Sequence, residues 1–233
     1  MASWMVHLRI ADELLPYLGL DETAFVMGNI APDSGVPNAD WSEFHPPRAE
    51  SHFQKKTADG SFFDPDAFRR RYLSDKRIRG YILKEYSFFL GYYVHLLTDV
   101  RWGKTVVTLL KKKYPDEYGQ DKNGLIQAAK QDWYDLDFLY LEQHPGFKAF
   151  AVYENAKGFS NDFMDIFSRD AFENRRQYIC GFYHGREHGD LHREYRYLTQ
   201  EQADSFVKDT AQMILGQISG GRQKSSLPDR ACT

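Results

Sequence analysis

The run Phe88-Phe89-Leu90-Gly91-Tyr92-Tyr93-Val94-His95-Leu96-Leu97-Thr98-Asp99-Val100-Arg101-Trp102 constrains this chain more than any other stretch. It is aromatic or aliphatic almost throughout, which predicts a helix buried on all sides. Yet it carries an imidazole and a carboxylate four residues apart, and positions i and i+4 lie one turn apart on the same helical face. His95 and Asp99 therefore point the same way. A carboxylate inside an apolar bundle is costly unless it is paired or bound to a cation, and a neighbouring imidazole offers that cation a second ligand. Gly91, one turn earlier, leaves room for something to sit against the helix. A single such pair is more often an internal hydrogen bond that fixes the His tautomer than a metal site. The upstream residues turn the reading toward half of a metal site.

Those residues form an ordered set. Met5 to Leu18 has apolar residues at helical spacing, with His7 in its first turns and Pro16 disturbing only the last. Asp21 is placed to cap a second helix that must stop near Ala31, because Pro32 disfavours the α conformation before it, and Asp33 falls just after that stop. Residues 34 to 51 read as a loop of Pro, Gly, Asn and Asp carrying Trp41, Phe44 and His45, and a loop of that length in a compact domain points to function. His52 follows it. Three His and two Asp suit zinc or a similar ion, and two ions bridged by one carboxylate would use all five.

Further on, Asp64-Pro65 predicts the start of a short basic helix whose arginines form a solvated face. The central helix is expected from about Ile78 past Trp102, with a bend at Gly103, to a stop at Pro115. Helices are also predicted over Leu125–Gln143, Phe147–Ala156, Asp162–Phe167 and Ala171–Tyr183. Thr199-Gln200-Glu201-Gln202 matches a capping box opening a final helix that ends at Gly220-Gly221. No segment alternates with period two, so the expected fold is all-α, a multi-helix bundle forming one metal-binding domain over residues 1–221 with a disordered tail over 222–233. His184, His188 and His192 form a four-residue stripe with Glu187, either a second metal site or an exposed polar segment. Trp4, Trp41, Phe44 and Trp102 are candidates for an apolar entrance or for the core.

Composition excludes several classes. The 233 residues carry a formal net charge of -3, which gives no electrostatic case for nucleic acid or for an anionic membrane surface. Two cysteines cannot build a disulfide framework, and no run is long and apolar enough for a signal peptide or a membrane span. The expectation is a cytoplasmic protein.

The words around the ligand-type residues, Val6-His7-Leu8, Gly28-Asn29-Ile30-Ala31-Pro32-Asp33, Ser51-His52-Phe53 and Phe89 to Asp99, resemble the zinc-dependent phospholipase C family, related in fold to the single-strand-specific nucleases. The resemblance covers roughly the first 105 residues. It implies that Asp33, His52, His95 and Asp99 hold one zinc, with Asp99 bridging to a second held by His7. In secreted members a free amine on a mature N-terminal Trp adds a ligand; Trp4 here follows three residues, so the second ion is expected to bind more weakly. A third zinc in some members uses a His six residues after the bridging Asp, and that position is Thr105, so a three-metal site is not expected. The implied chemistry is phosphoester hydrolysis by a metal-activated water, with Asp33 and Asp99 as catalytic carboxylates, on a small-molecule or lipid phosphoester. Trp41, Phe44 and Lys104 are candidate substrate contacts, with Arg101 as a second cation on the same stretch. The alternative is a non-catalytic zinc-binding domain that binds a lipid or protein partner.

Overall fold

The computed structural model describes residues 1–223 apart from Trp41, Asp59, Arg186 and Glu187, with backbone alone for 220–223. The fold is all-α, its only sheets among the described residues being two small antiparallel pairs. Helix α1 (Trp4–Leu18) is capped by Ser3, whose side chain accepts from Val6 N, and α2 (Glu22–Ile30) by Asp21, which accepts from Ala24 N. A 3-10 turn, Ala31–Asp33, follows where Pro32 ends the α conformation.

The long buried helix is α6 (Leu83–Trp102), preceded by α4 (Pro65–Tyr72) and the one-turn α5 (Asp75–Ile78). Its principal neighbour is α2. A Cβ on Gly91 would stand 2.1 Å from the Phe25 carbonyl oxygen, and one on Gly28 2.1 Å from that of Phe88. The two glycines thus allow backbone-to-backbone contact. What sits against Gly91 is helix α2, not a ligand. Beyond Trp102 a π-helical segment, Gly103–Val107, leads into α7 (Thr108–Lys113), so the expected bend is a widened turn in which Thr108 Oγ1 donates to the Gly103 carbonyl at 2.9 Å.

Helix α8 (Pro115–Gln120) precedes α9 (Lys122–Gln143), α10 (Lys148–Asn155), α11 (Ala171–Gly185) and α12 (Gln200–Gln223), which returns to pack on α1. The capping box forms as expected: Thr199 N donates to Gln202 Oε1 at 3.0 Å, and Gln202 N to Thr199 Oγ1 at 3.3 Å. The helix then runs through Gly220 and Gly221 instead of stopping there. The expected tail, except for the backbone of its first two residues, lies outside the described residues.

Two expectations are corrected. No helix forms over 162–167. Asn161 takes up the local backbone groups instead, its Oδ1 accepting from Phe163 N and Met164 N while Nδ2 donates to the Met164 and Phe167 carbonyls. The loop and polar turn after Asp33 hold short structure: β1 (Val36–Pro37) pairs with β2 (Phe44–His45), α3 (Arg48–Ser51) makes one turn, and β3 (Gln54–Thr57) pairs with β4 (Gly60–Phe63). Their strands of two to four residues are largely exposed, so they show no alternation to read.

Candidate metal centre

The five residues singled out in the sequence meet at one place. His7, His52 and His95 are fully buried, Asp99 is 2 % exposed, and the side chain of Asp33 is 9 % exposed. His52 Nε2 lies 3.3 Å from Asp33 Oδ1, 3.3 Å from His95 Nε2 and 3.7 Å from Asp99 Oδ2, and His95 Nε2 lies 3.6 Å from Asp99 Oδ2. Ligands about 2.0–2.1 Å from a tetrahedral zinc stand roughly 3.3–3.5 Å from one another, so these spacings fit one ion. Two convergent groups stand out, Asp33–His52–His95 and His7–His95–Asp99, with His95 common to both.

Tautomers follow from the outer hydrogen bonds. His95 Nδ1 is 2.7 Å from the Asn29 carbonyl oxygen, which only accepts, so Nδ1 carries the proton. The Ser51 hydroxyl donates to the Arg48 carbonyl at 3.4 Å and therefore accepts from His52 Nδ1 at 3.0 Å. Tyr92 holds that turn in place through a bond from its hydroxyl to the Ser51 carbonyl. With both imidazoles neutral, their Nε2 lone pairs face each other and two carboxylates. Acceptors gathered this closely call for positive charge among them, supplied by a bound cation or by a proton on His95.

His7 is held differently. Its ring stacks on His95 at a centroid distance of 3.8 Å, Nε2 lies 3.5 Å from Asp99 Oδ1, and neither ring nitrogen has a hydrogen-bond partner among the described residues. Asp99 Oδ2 is similarly unpartnered, while Oδ1 accepts from Ala2 N at 3.0 Å. Unlike His52 and His95, His7 has no second-shell bond to orient it.

The charge states suit ligation. Burial pushes His7 down to about 4 and also lowers His52, which keeps both imidazoles neutral. Burial opposes the ionised forms of Asp33 and Asp99, but the imidazoles beside them, and Arg48 beside Asp33, hold both carboxyls below the usual range. His95 is the exception: burial lowers it, but Asp99 and Asp33 outweigh burial and raise it.

Of these groups Asp33 and His52 line a cleft of about 370 Å³ walled by Trp4, Phe44, Pro46, Trp133 and Tyr134, while His7, His95 and Asp99 lie buried behind them. Trp4 also donates from Nε1 to Asp33 Oδ2 at 3.0 Å. Of the expected entrance aromatics, Trp4 and Phe44 line the cleft; Trp102 is fully buried edge-on to Trp133 and Phe206, and Trp41 lies outside the described residues. Lys104 and Arg101 line a separate groove that shares no residue with the cleft. They do not meet the metal centre because they lie beyond the site on α6 and its π-helical extension. The cations that do line the cleft are Arg48, Lys130 and Arg175, which carry no motif and come from α3, α9 and α11.

The histidine stripe does not converge either. His184 pairs with Glu154 and His192 with Glu142, His188 Nδ1 bonds the Gly189 carbonyl, and Glu187 lies outside the described residues. No described helix is long and apolar enough to cross a membrane.

No curated protein and no solved structure matches the chain. A family model described as zinc dependent phospholipase C matches residues 6–141, beyond the 105 residues the motifs cover. That span takes in all five candidate ligands and most of α9. Matched over more than half its length, the chain belongs to the zinc-dependent phospholipase C family.

Proposed function

We propose that this protein is a zinc-dependent phosphoesterase in which Asp33, His52, His95 and Asp99 hold one ion and His7 and Asp99 a second, weaker one. The observation that carries the reading is the convergence of the His52 and His95 Nε2 atoms with the Asp33 and Asp99 carboxylates, of which Asp33 and His52 open onto the cleft. Bound divalent ions lower the pKa of a coordinated water toward neutrality and offset charge developing on a phosphoryl oxygen.

The chain's own groups do the rest. Asn29 and Ser51 fix the two imidazoles through their Nδ1 protons, so that each presents Nε2 to the carboxylates of Asp33 or Asp99. Trp4 and Arg48 occupy Asp33 from the cleft side, which fixes the carboxylate's rotation and leaves it beside the space where a water and a phosphate would meet. In that position Asp33 is placed to orient the attacking water, and would deprotonate it only if it did not bind the ion tightly. The aromatic wall of Trp4, Phe44 and Trp133 takes the apolar part of an ester and excludes bulk water. The substrate is a small-molecule or lipid phosphodiester.

The test combines metal analysis with turnover. After mild dialysis at least one equivalent of zinc is expected to remain, and bis(4-nitrophenyl) phosphate is expected to be hydrolysed in a zinc-dependent, chelator-sensitive way. A protein retaining no zinc, iron or manganese contradicts the metal site. One that retains zinc but turns over no phosphoester is a binding domain.

A further inference from the structure

Around the cleft, charge is distributed unlike the rest of the molecule. The whole chain has a formal net charge of -3, but the residues lining the cleft include Arg48, Lys130 and Arg175 and a single carboxylate, Asp33. Asp33 belongs to the proposed ligand set, so a divalent ion claims its charge.

The three cations are compensated unequally. Arg48 Nη2 lies 3.3 Å from Asp33 Oδ1, and its side chain is half exposed. Arg175 is 7 % exposed, and its one hydrogen bond among the described residues runs from Nη2 to a neutral acceptor, the Gly35 carbonyl, at 2.6 Å. Its guanidinium also lies 5.3 Å from the centre of the Tyr178 ring. A guanidinium that far from water without a bonded carboxylate has charge left to satisfy. Lys130 makes no ion pair among the described residues. It shares one face of α9 with Ile126, Trp133 and Tyr134, all lining the cleft, as spacings of four, three and four residues require. Arg48 and Arg175 enter from elements more than 100 residues apart in sequence. A solvated charge run would not put one cation from each of three elements on the same hollow.

We propose that the cleft receives a phosphoester carrying a second anionic group beside its phosphate, with Lys130 and Arg175 meeting that group and a substrate with a cationic arm disfavoured. The inference rests on the phosphoesterase reading for its phosphate. The second group is a carboxylate or a further phosphate. Arginine offers either a planar fork of donors, and lysine a point charge.

Three phosphates with the same short scaffold and different arms serve as probes: 2-phosphoglycolate and ethylene glycol bisphosphate (anionic), ethyl phosphate (neutral) and phosphocholine (cationic). Titration calorimetry on the zinc-loaded protein is expected to show both anionic probes binding at least tenfold more tightly than phosphocholine, with ethyl phosphate between. The tighter of the two anionic probes identifies the second group. Lys130→Gln is expected to shrink the anionic preference severalfold. Arg175→Lys, which keeps the charge in a buried position, is expected to retain more of it than Arg175→Gln. Phosphocholine binding as tightly as 2-phosphoglycolate, no binding of any probe, or a preference unmoved by Lys130→Gln and Arg175→Gln in folded protein would each overturn the proposal. Because the readout is binding, absent turnover of a phosphodiester removes the hydrolytic reading while an intact preference still supports the anionic subsite.

Discussion

Replacing Asp137 by Asn is expected to make the protein more stable at neutral pH and to leave it nearly unchanged near pH 4. Asp137 is 3 % exposed on α9; its Oδ1 accepts from Ser3 Oγ at 2.7 Å and its Oδ2 from Tyr183 OH at 2.8 Å. Burial raises its pKa from 3.8 to about 7, against the opposing pull of those two hydroxyls and of Arg9. Below pH 3.8 the carboxyl is protonated in both folded and unfolded chains, and its contribution is complete. Between 3.8 and about 7 the unfolded chain has lost the proton that the folded chain keeps, so stability falls by about 1.4 kcal/mol per pH unit. Above 7 both forms are ionised and the loss levels off, after roughly three units and of the order of 4 kcal/mol. An amide keeps the shape and cannot ionise. The difference in unfolding free energy between Asp137→Asn and the parent should therefore climb with pH from 4 to 7 and then flatten. Urea unfolding at half-unit pH steps, at one fixed zinc load so that pH-dependent metal binding cancels, measures it. A constant offset reports only how the amide packs. A difference curve without slope over that window refutes the burial argument.

Three further outcomes follow from the geometry. Asp99→Asn keeps the side chain's shape but removes the charge shared by His7, His52 and His95, so kcat on a phosphodiester should fall by at least about a thousandfold with the helical circular dichroism spectrum retained; near-parental turnover would contradict a metal-bridging role. His7→Ala should lower bound zinc from two equivalents to one in elemental analysis, because His52, His95 and Asp33 are held independently of it. Gly91→Ala places a Cβ 2.1 Å from the Phe25 backbone oxygen and should cost about 3 kcal/mol or more by forcing α2 from α6, read as a lowered urea midpoint.

How much of this was legible in the sequence depends on the range over which each signal acts. Caps are local: Asp21, Asp64 and Thr199 each bond a backbone amide three residues away, and the helices they open start where the residue types predict. The cluster was legible because His95 and Asp99 share a helical face and His7, Asp33 and His52 stand in recognisable words. Asn161 shows the opposite case, since a side chain with four local bonds overrides an apolar pattern that reads as a helix. Arg48, Lys130 and Arg175 had no signal at all, because nothing in a cation's immediate neighbours says which hollow it will face.

Gly91 joins the two levels. Read alone, a glycine one turn before His95 suggested space for a ligand; in the fold that space is filled by the Phe25 carbonyl, and the resulting contact carries α2 close enough for the Asn29 carbonyl to reach His95 Nδ1 at 2.7 Å. The same approach sets the direction of the chain into the 3-10 turn that delivers Asp33. A helix contact without side chains is therefore what fixes one imidazole's tautomer and places the opposite carboxylate, and any residue larger than glycine at 91 would separate the two halves of the His–Asp cluster before it disturbed either side chain.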